Sequence, residues 1–379
     1  MAGEASGDQH AAHLVENLKL SNEQHQPHWH FHFSGIGGSK MQEAGVTLIQ
    51  DLTHLNVMGL TEVIRHLKVI RQIFKQMEQH LRETKPDLLI LVDYPGFNLR
   101  LAKKAKSMGI KVLYYISPQL WAWKPNRIKT IKQNVDVMAT ILPFEKKIYD
   151  EANFPSYFVG HPLSETVKTT LSAEAVRKKY DLPANKKIIG LLPGSRPGEI
   201  KRIFPIMLKA AELLNQHYSD LIFVLPLAPT LSEQSFFSYC QKSSLPIRFI
   251  PSGQNHYDLI NTCHSLIITS GTATLETALL TRPMVIVYKT SRINYTIASQ
   301  VIRIKYIGLS NLLANKMVVP EIIQQDLTPK NLFCAMQRFI DDPHYYASVQ
   351  TQLQAVKESL NKNPSEKSLA DLVLDLIGD

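Results

Sequence analysis

Two loops in the second half of the chain carry residue types that bind phosphate. In Leu191-Leu192-Pro193-Gly194-Ser195-Arg196-Pro197-Gly198-Glu199-Ile200, Gly194 and Gly198 permit close backbone approach and Ser195 can donate. Arg196 adds a planar fork matched to phosphate oxygens. A plain turn with an exposed arginine is the alternative, and Pro and Gly on both sides of the Ser-Arg pair favour phosphate. In Ile268-Thr269-Ser270-Gly271-Thr272-Ala273-Thr274-Leu275-Glu276, a strand ends in small and hydroxyl residues that open into a helix. The backbone NH groups of Gly271, Thr272 and Ala273 could hold a diphosphate there, beside Ser270. Glu276 could accept hydrogen bonds from ribose hydroxyls. Ser270 or Thr272 could instead simply cap the helix with Glu276 as partner, and both readings can hold at once, since capping and anion binding use the same orphan NH groups. Together the loops point to a nucleotide-diphosphate site. GxxxxGK[ST], GxGxxG and DxD motifs are absent, so no metal or other cofactor is expected, and a departing diphosphate would be neutralised by Arg196 and helix NH groups.

A third constellation lies in the first half. Asp93, in Val92-Asp93-Tyr94-Pro95-Gly96-Phe97-Asn98, closes a strongly apolar strand, and a carboxylate there can serve as general base or simply cap the next helix. Glu4, Ser6, Gly7 and Asp8 form another small-residue loop entering a helix, suited to substrate hydroxyls or to capping. Trp121 and Trp123 follow the strand ending at Ile116, as a ligand wall or as packing. His25, His28, His30 and His32 are spaced like metal ligands, but His30 and His32 alternate with Phe31 and Phe33 as on a half-exposed strand, and no acidic or Cys ligand joins them; no metal site is expected. Leu67, Ile70, Phe74, Met77 and Leu81 recur at 3,4,3,4 spacing among Arg65, Lys68, Arg71, Lys75 and Arg82. That is a core-packing amphipathic helix whose basic face, with Val57-Met58-Gly59-Leu60 before it, also permits docking onto anionic lipid.

Positioning these loops requires strands that end at them. Near-continuous apolar runs at Asp87–Asp93, Ile110–Ile116 and Val135–Leu142, and again at Lys187–Leu192, Leu221–Leu225, Ile247–Ile250, Ser265–Ile268 and Pro283–Val287, alternate with helical patterns. Such runs read as strands covered on both faces, giving α/β architecture with two doubly wound parallel sheets. The domains are expected at 1–165 and 166–340, with helices over 341–379 packing back toward the first domain or a partner subunit. Two facing Rossmann-like domains would bind ligands at the carboxyl ends of their strands.

Bulk properties agree with an ordinary folded chain. The 379 residues suit two domains at roughly 150 each. No apolar run approaches the roughly 20 residues that span a bilayer. Forty-two Lys and Arg against 33 Asp and Glu give a net charge of +9, which favours anionic partners. Nucleic acid is not expected, because no binding-fold signature accompanies the charge. Three cysteines without CxxC spacing suit a reducing cytoplasm, and nothing at the N-terminus reads as a signal peptide.

Taken together, Ala2–Asp8, Val57-Met58-Gly59, Val92–Asn98, Ser117–Trp123, Leu142-Pro143-Phe144-Glu145, Gly160-His161-Pro162, Leu192–Arg196, Ser270–Glu276 and Asn311-Leu312-Leu313-Ala314 resemble the lipid-A-disaccharide synthase family, in its order and over nearly the whole chain. The resemblance implies a GT-B glycosyltransferase that joins UDP-2,3-diacylglucosamine to 2,3-diacylglucosamine 1-phosphate with inversion. The products would be a β-1,6-linked disaccharide 1-phosphate and UDP, made on the cytoplasmic face of the inner membrane of a Gram-negative bacterium. It implies Asp93 as base; Ser195, Arg196, Ser270, Gly271, Thr272, Ala273, Glu276 and Asn311 on the donor side; and Glu4, Ser6, Gly7 and Trp121 lining the acceptor side or cleft. A homodimer is left open. Family members carry an apolar strand before the Gly3–Asp8 loop, so the first sheet is expected to lack a central strand. Rival readings are another GT-B enzyme, such as the transferase of peptidoglycan lipid synthesis or a UDP-sugar 2-epimerase, and an inactive paralogue serving as a membrane-associated binding protein.

Overall fold

A computed structural model describes the chain except residues 25–28, 52–59, 229–230, 242, 252, 254, 292–294, 297–303, 362–366 and 379; at residues 5, 24 and 60–67 only the backbone is described. The chain divides into two compact units, Met1–Pro162 with Lys362–Asp379, and Leu163–Asn361. The boundary falls just before residue 165, and the segment expected over 341–379 is shared. Helix Pro343–Leu360 belongs to the second unit, whereas helix Leu369–Gly378 belongs to the first. Burial explains the division: Val349, Leu353 and Leu360 enter the core of the second unit, while Ala370, Leu372 and Val373 join helix Ala5–Gln24 in the first.

In the first unit, β1 (Ser34–Gly37) pairs with β2 (Thr47–Asp51), and β3 (Leu88–Val92), β4 (Lys111–Tyr115), β5 (Val137–Thr140) and β6 (Ser156–Phe158) form a parallel four-stranded sheet in chain order. Leu91, Val112, Leu113, Tyr114 and Met138 are fully buried, as expected for strands covered on both faces. Met1 and Ala2 stand between β1 and β3. Ala2 N donates to Ile36 O at 2.8 Å, and Val92 N donates to Met1 O at 2.9 Å. Two residues thus occupy the centre where the sequence pointed to a missing strand.

Helix Leu60–Thr84 buries Ile73, Met77 and Leu81 in this core and leaves Lys68, Arg71, Lys75 and Arg82 exposed. Over its described side chains the apolar stripe is core, so only the basic face remains for any surface. Leu67 and Arg65 as side chains, and Val57-Met58-Gly59, lie outside the described residues.

The second unit holds a parallel sheet in the order β12 (Glu321–Ile323), β11 (Met284–Tyr288), β10 (Ser265–Thr269), β7 (Lys187–Leu192), β8 (Leu221–Pro226), β9 (Ile247–Ile250). The order reverses between β7 and β10, the switch point at which doubly wound sheets open a crevice. Both phosphate-type loops leave the carboxyl ends of these two paired strands.

Over its described residues, 29–33, the histidine-rich stretch is not a strand. His30 and His32 are exposed in irregular chain before β1, while His25 and His28 lie outside the described residues. The alternation with Phe31 and Phe33 arises because these two rings pack on the core and on each other, at 5.3 Å between centroids. Among the described residues no cluster of three or more His, Cys, Asp or Glu is placed to hold a metal ion, and no helix is long and apolar enough to cross a membrane.

Candidate active site

In the second unit a cavity of about 610 Å³ opens at the switch point, lined by Ser195, Arg196, Ser270, Gly271, Thr272, Ala273 and Glu276. Seven of the eight donor-side residues expected from sequence therefore meet in one place. Gly194 takes φ +102°, and a Cβ there would collide with the Glu199 carboxylate, so the loop conformation requires glycine. Glu199, in the first turn of helix Pro197–His217, pairs with Arg196 across 3.2 Å. The Arg196 side chain remains 63% exposed, able to reach an incoming anion.

Opposite, helix Thr272–Leu279 begins directly after Gly271, and no side chain caps it. Thr274 N is turned inward to Gly271 O at 3.1 Å, and the start of the helix offers its remaining NH groups and positive end to the cavity. The Ser270 hydroxyl donates to Ile307 O at 3.2 Å, which leaves its oxygen as an acceptor. Glu276 is not a capping partner. Its carboxylate accepts a hydrogen bond from Tyr257 OH at 3.1 Å, and burial raises its pKa above the ordinary carboxylate range against that bond.

Asn311, the eighth, is used otherwise. Fully buried, it donates to Val319 O and Glu321 Oε1 (2.8 Å each) and accepts from Val318 N and Val319 N (2.8 and 2.9 Å). All four hydrogen-bonding positions of its amide hold its own loop together, and it does not line the cavity.

In the first unit Asp93 follows β3 in the left-handed region, φ 47°, as does Tyr94, φ 46°. Burial first, and then the charge of Glu4, push the Asp93 carboxyl up to about 6, against a hydrogen bond from the Tyr94 backbone. Asp93 does not cap helix Pro95–Ser107, whose N-cap position is Tyr94. Trp121 donates its indole NH to Glu145 Oε1 at 3.1 Å and meets the Phe144 ring edge-on at 5.4 Å. Glu145 is 2% exposed, and burial pushes its carboxyl up to about 8. In sequence Glu145 stands out only as part of a motif; the sign it carries is its place three residues into a helix after Leu142, where its Oε2 accepts from Leu142 N at 3.3 Å.

The Gly3–Asp8 loop is divided in role. Glu4 faces Asp93 electrostatically and Ser6 is exposed, but Gly7 is buried with Ala2 and Val92 packed against it. A Cβ at Gly7 would make only ordinary contact, 3.4 Å from the Ala2 Cβ, so close packing there does not itself require glycine. Asp8 accepts from the NH groups of Gly38, Lys40 and Met41, fixing the start of the next helix.

A model of the lipid-A-disaccharide synthetase family matches residues 1–373 of the chain. Lipid-A-disaccharide synthase 1 of Legionella pneumophila is 47% identical over 375 residues, covering 99% of this chain and 96% of the relative. Lipid-A-disaccharide synthase of Geobacter sulfurreducens is 41% identical over 379 residues, covering 100% and 96%. Among solved structures, UDP-GlcNAc 2-epimerase from Neisseria meningitidis bound to UDP-GlcNAc is similar with a TM-score of 0.59 and 15% identity over 97% of each chain. The calicheamicin glycosyltransferase CalG4 is similar with a TM-score of 0.58 and 14% identity, covering 97% of this chain and 94% of that one. At such identities these likenesses give the fold, which is of the GT-B class.

Proposed function

The chain belongs to the lipid-A-disaccharide synthetase family and is a hexosyltransferase of lipid A biosynthesis; from that premise we propose which substrates it joins and which residues do the work. The donor is UDP-2,3-diacylglucosamine, the acceptor 2,3-diacylglucosamine 1-phosphate, and the products the β-1,6-linked disaccharide 1-phosphate and UDP. The observation that carries this reading is the cavity in which the Gly194–Arg196 loop, the start of helix Thr272–Leu279 and Glu276 converge. The Neisseria epimerase, which has the same fold, was solved with a UDP-sugar bound.

Transfer with inversion needs a single displacement and no enzyme nucleophile. The Asp93 carboxylate takes the proton of the acceptor 6-hydroxyl as that oxygen forms its bond to the donor's anomeric carbon. The bond from that carbon to the diphosphate oxygen breaks, and its electron pair leaves with UDP. Arg196 and the NH groups from Gly271 to Ala273 stabilise the developing charge, and Glu276 holds the ribose. Glu4, Ser6 and Trp121 are the acceptor-side candidates. The enzyme works at the cytoplasmic face of the inner membrane. Acylated substrates, a net charge of +9 and the exposed basic face of helix Leu60–Thr84 support that location.

UDP release is the test. Release that requires both acylated sugars supports the reading, whereas a 2-epimer of the donor formed without acceptor would support the epimerase alternative and overturn it.

A further inference from the structure

Of the six non-glycine residues described with positive φ in the first unit, three lie where the proposed base sits. Two consecutive residues with side chains, Asp93 and Tyr94, are left-handed, and at the end of the neighbouring strand so is the β-branched Ile116, with φ 68°. Asp tolerates that region comparatively well, but a bulky Tyr and a β-branched Ile occupy it only when their surroundings over-determine them. At Asp93 the determinants are visible. Its NH donates to Tyr115 O at 2.9 Å, and its carbonyl oxygen receives two donors, Asn98 Nδ2 at 2.7 Å and Tyr114 OH at 2.6 Å. Asn98 also donates to Val92 O at 3.2 Å, tying the last strand residue to the turn. Asn98 and Tyr114 are both fully buried. They touch the backbone of Asp93 rather than its carboxylate, and they come from different elements, helix Pro95–Ser107 and β4. The turn they enforce lays the Tyr94 ring against Gly3, where a Cβ would stand 2.5 Å from Tyr94 Cδ1.

We propose that Asn98 and Tyr114 are positioning residues: a two-donor clamp on the Asp93 carbonyl holds residues 93 and 94 in the left-handed turn and so aims the Asp93 carboxylate at the acceptor hydroxyl. This rests on the assignment of Asp93 as base. A base held rigidly in attack geometry gains rate without added substrate affinity, so loss of the clamp lowers kcat and spares KM.

The test is steady-state kinetics on five variants: Tyr114→Phe, Asn98→Ala, Tyr94→Gly, the double variant Asn98→Ala/Tyr94→Gly, and Asp93→Asn. Tyr114→Phe removes one oxygen atom and lowers kcat about 10-fold, Asn98→Ala lowers it about 10²-fold, and KM for both substrates stays within about two-fold. Glycine adopts a left-handed turn at no steric cost, so the loss caused by Asn98→Ala shrinks when it is measured against Tyr94→Gly alone. A weakened fold would produce no such rescue. Should Asn98→Ala fail to fold, Tyr114→Phe still decides. Tyr114→Phe with kcat within two-fold of the parent, or with KM rising as kcat falls, overturns the clamp. Asp93→Asn separates the two claims: if it retains near-parental kcat, the base assignment fails, and if it is inactive while Tyr114→Phe is fully active, only the clamp fails.

Discussion

At Asp93, burial and the charge of Glu4 act in the same direction, so the carboxyl takes up its proton near pH 6 instead of near 4. The base proposed at Asp93 works only when ionised, and kcat/KM should therefore fall as pH drops through about 6. Glu4→Gln removes the smaller of the two causes and should move that acid limb to lower pH; an unmoved limb would separate Glu4 from the base. Arg196→Ala should lower turnover by about 10²–10³-fold, as for other groups that stabilise a leaving charge, and near-parental turnover would remove it from that role. The seven residues that line the cavity were legible because their two loops follow the buried strands β7 and β10 and lead into helices. Asn311 was misread because position alone cannot show that Val318, Val319 and Glu321 return to use up its amide. The Asp93 clamp was illegible for a related reason: it joins residue 93 to residues 98 and 114, and a left-handed Tyr has no mark in sequence.

Among the elements, helix Pro143–Glu151 carries the most telling buried titratable group. Glu145 has a folded-state pKa raised to about 8, well above an unfolded carboxylate, so burial costs stability that grows as pH rises from roughly 4.3 to about 8 and is constant beyond. Glu145→Gln keeps an oxygen for the Trp121 indole and removes the titration. Its stability relative to the parent should therefore climb across that window and then level off; a pH-independent difference would mean the carboxyl is ionised throughout. The buried strands β3, β4, β7, β8 and β10 were plain in their apolar runs. By contrast, β1 is half glycine, and β6 and β12 have three residues each, too few for a period to register. The His30–Phe33 alternation was misread because period two reports which side chains face the core, and irregular chain can share it.

Over the whole molecule, the repeated strand-helix pattern pointed to two units, and the expected return of the last helices to the first unit holds for Leu369–Gly378 but not for Pro343–Leu360. Apolar spacing on helices Pro343–Leu360 and Leu369–Gly378 shows that each buries a face, and only tertiary contact decides which unit receives it. Net charge has a consequence at this scale. With +9 and an exposed basic helix face, sedimentation with vesicles of anionic lipid should be substantial at low salt and fall as salt shortens the screening length to about 3 Å at 1 M. Equal binding to neutral vesicles would contradict an electrostatic contribution. The transfer reaction itself is tested most directly by the linkage of the product. Incubation with UDP-2,3-diacylglucosamine and 2,3-diacylglucosamine 1-phosphate, followed by nuclear magnetic resonance of the lipid product, should show one disaccharide joined from the anomeric carbon to the 6-oxygen in the β configuration, with one UDP released for each. An α linkage would contradict a single displacement, and bonding at another hydroxyl or UDP released without disaccharide would contradict transfer to the acceptor 6-oxygen.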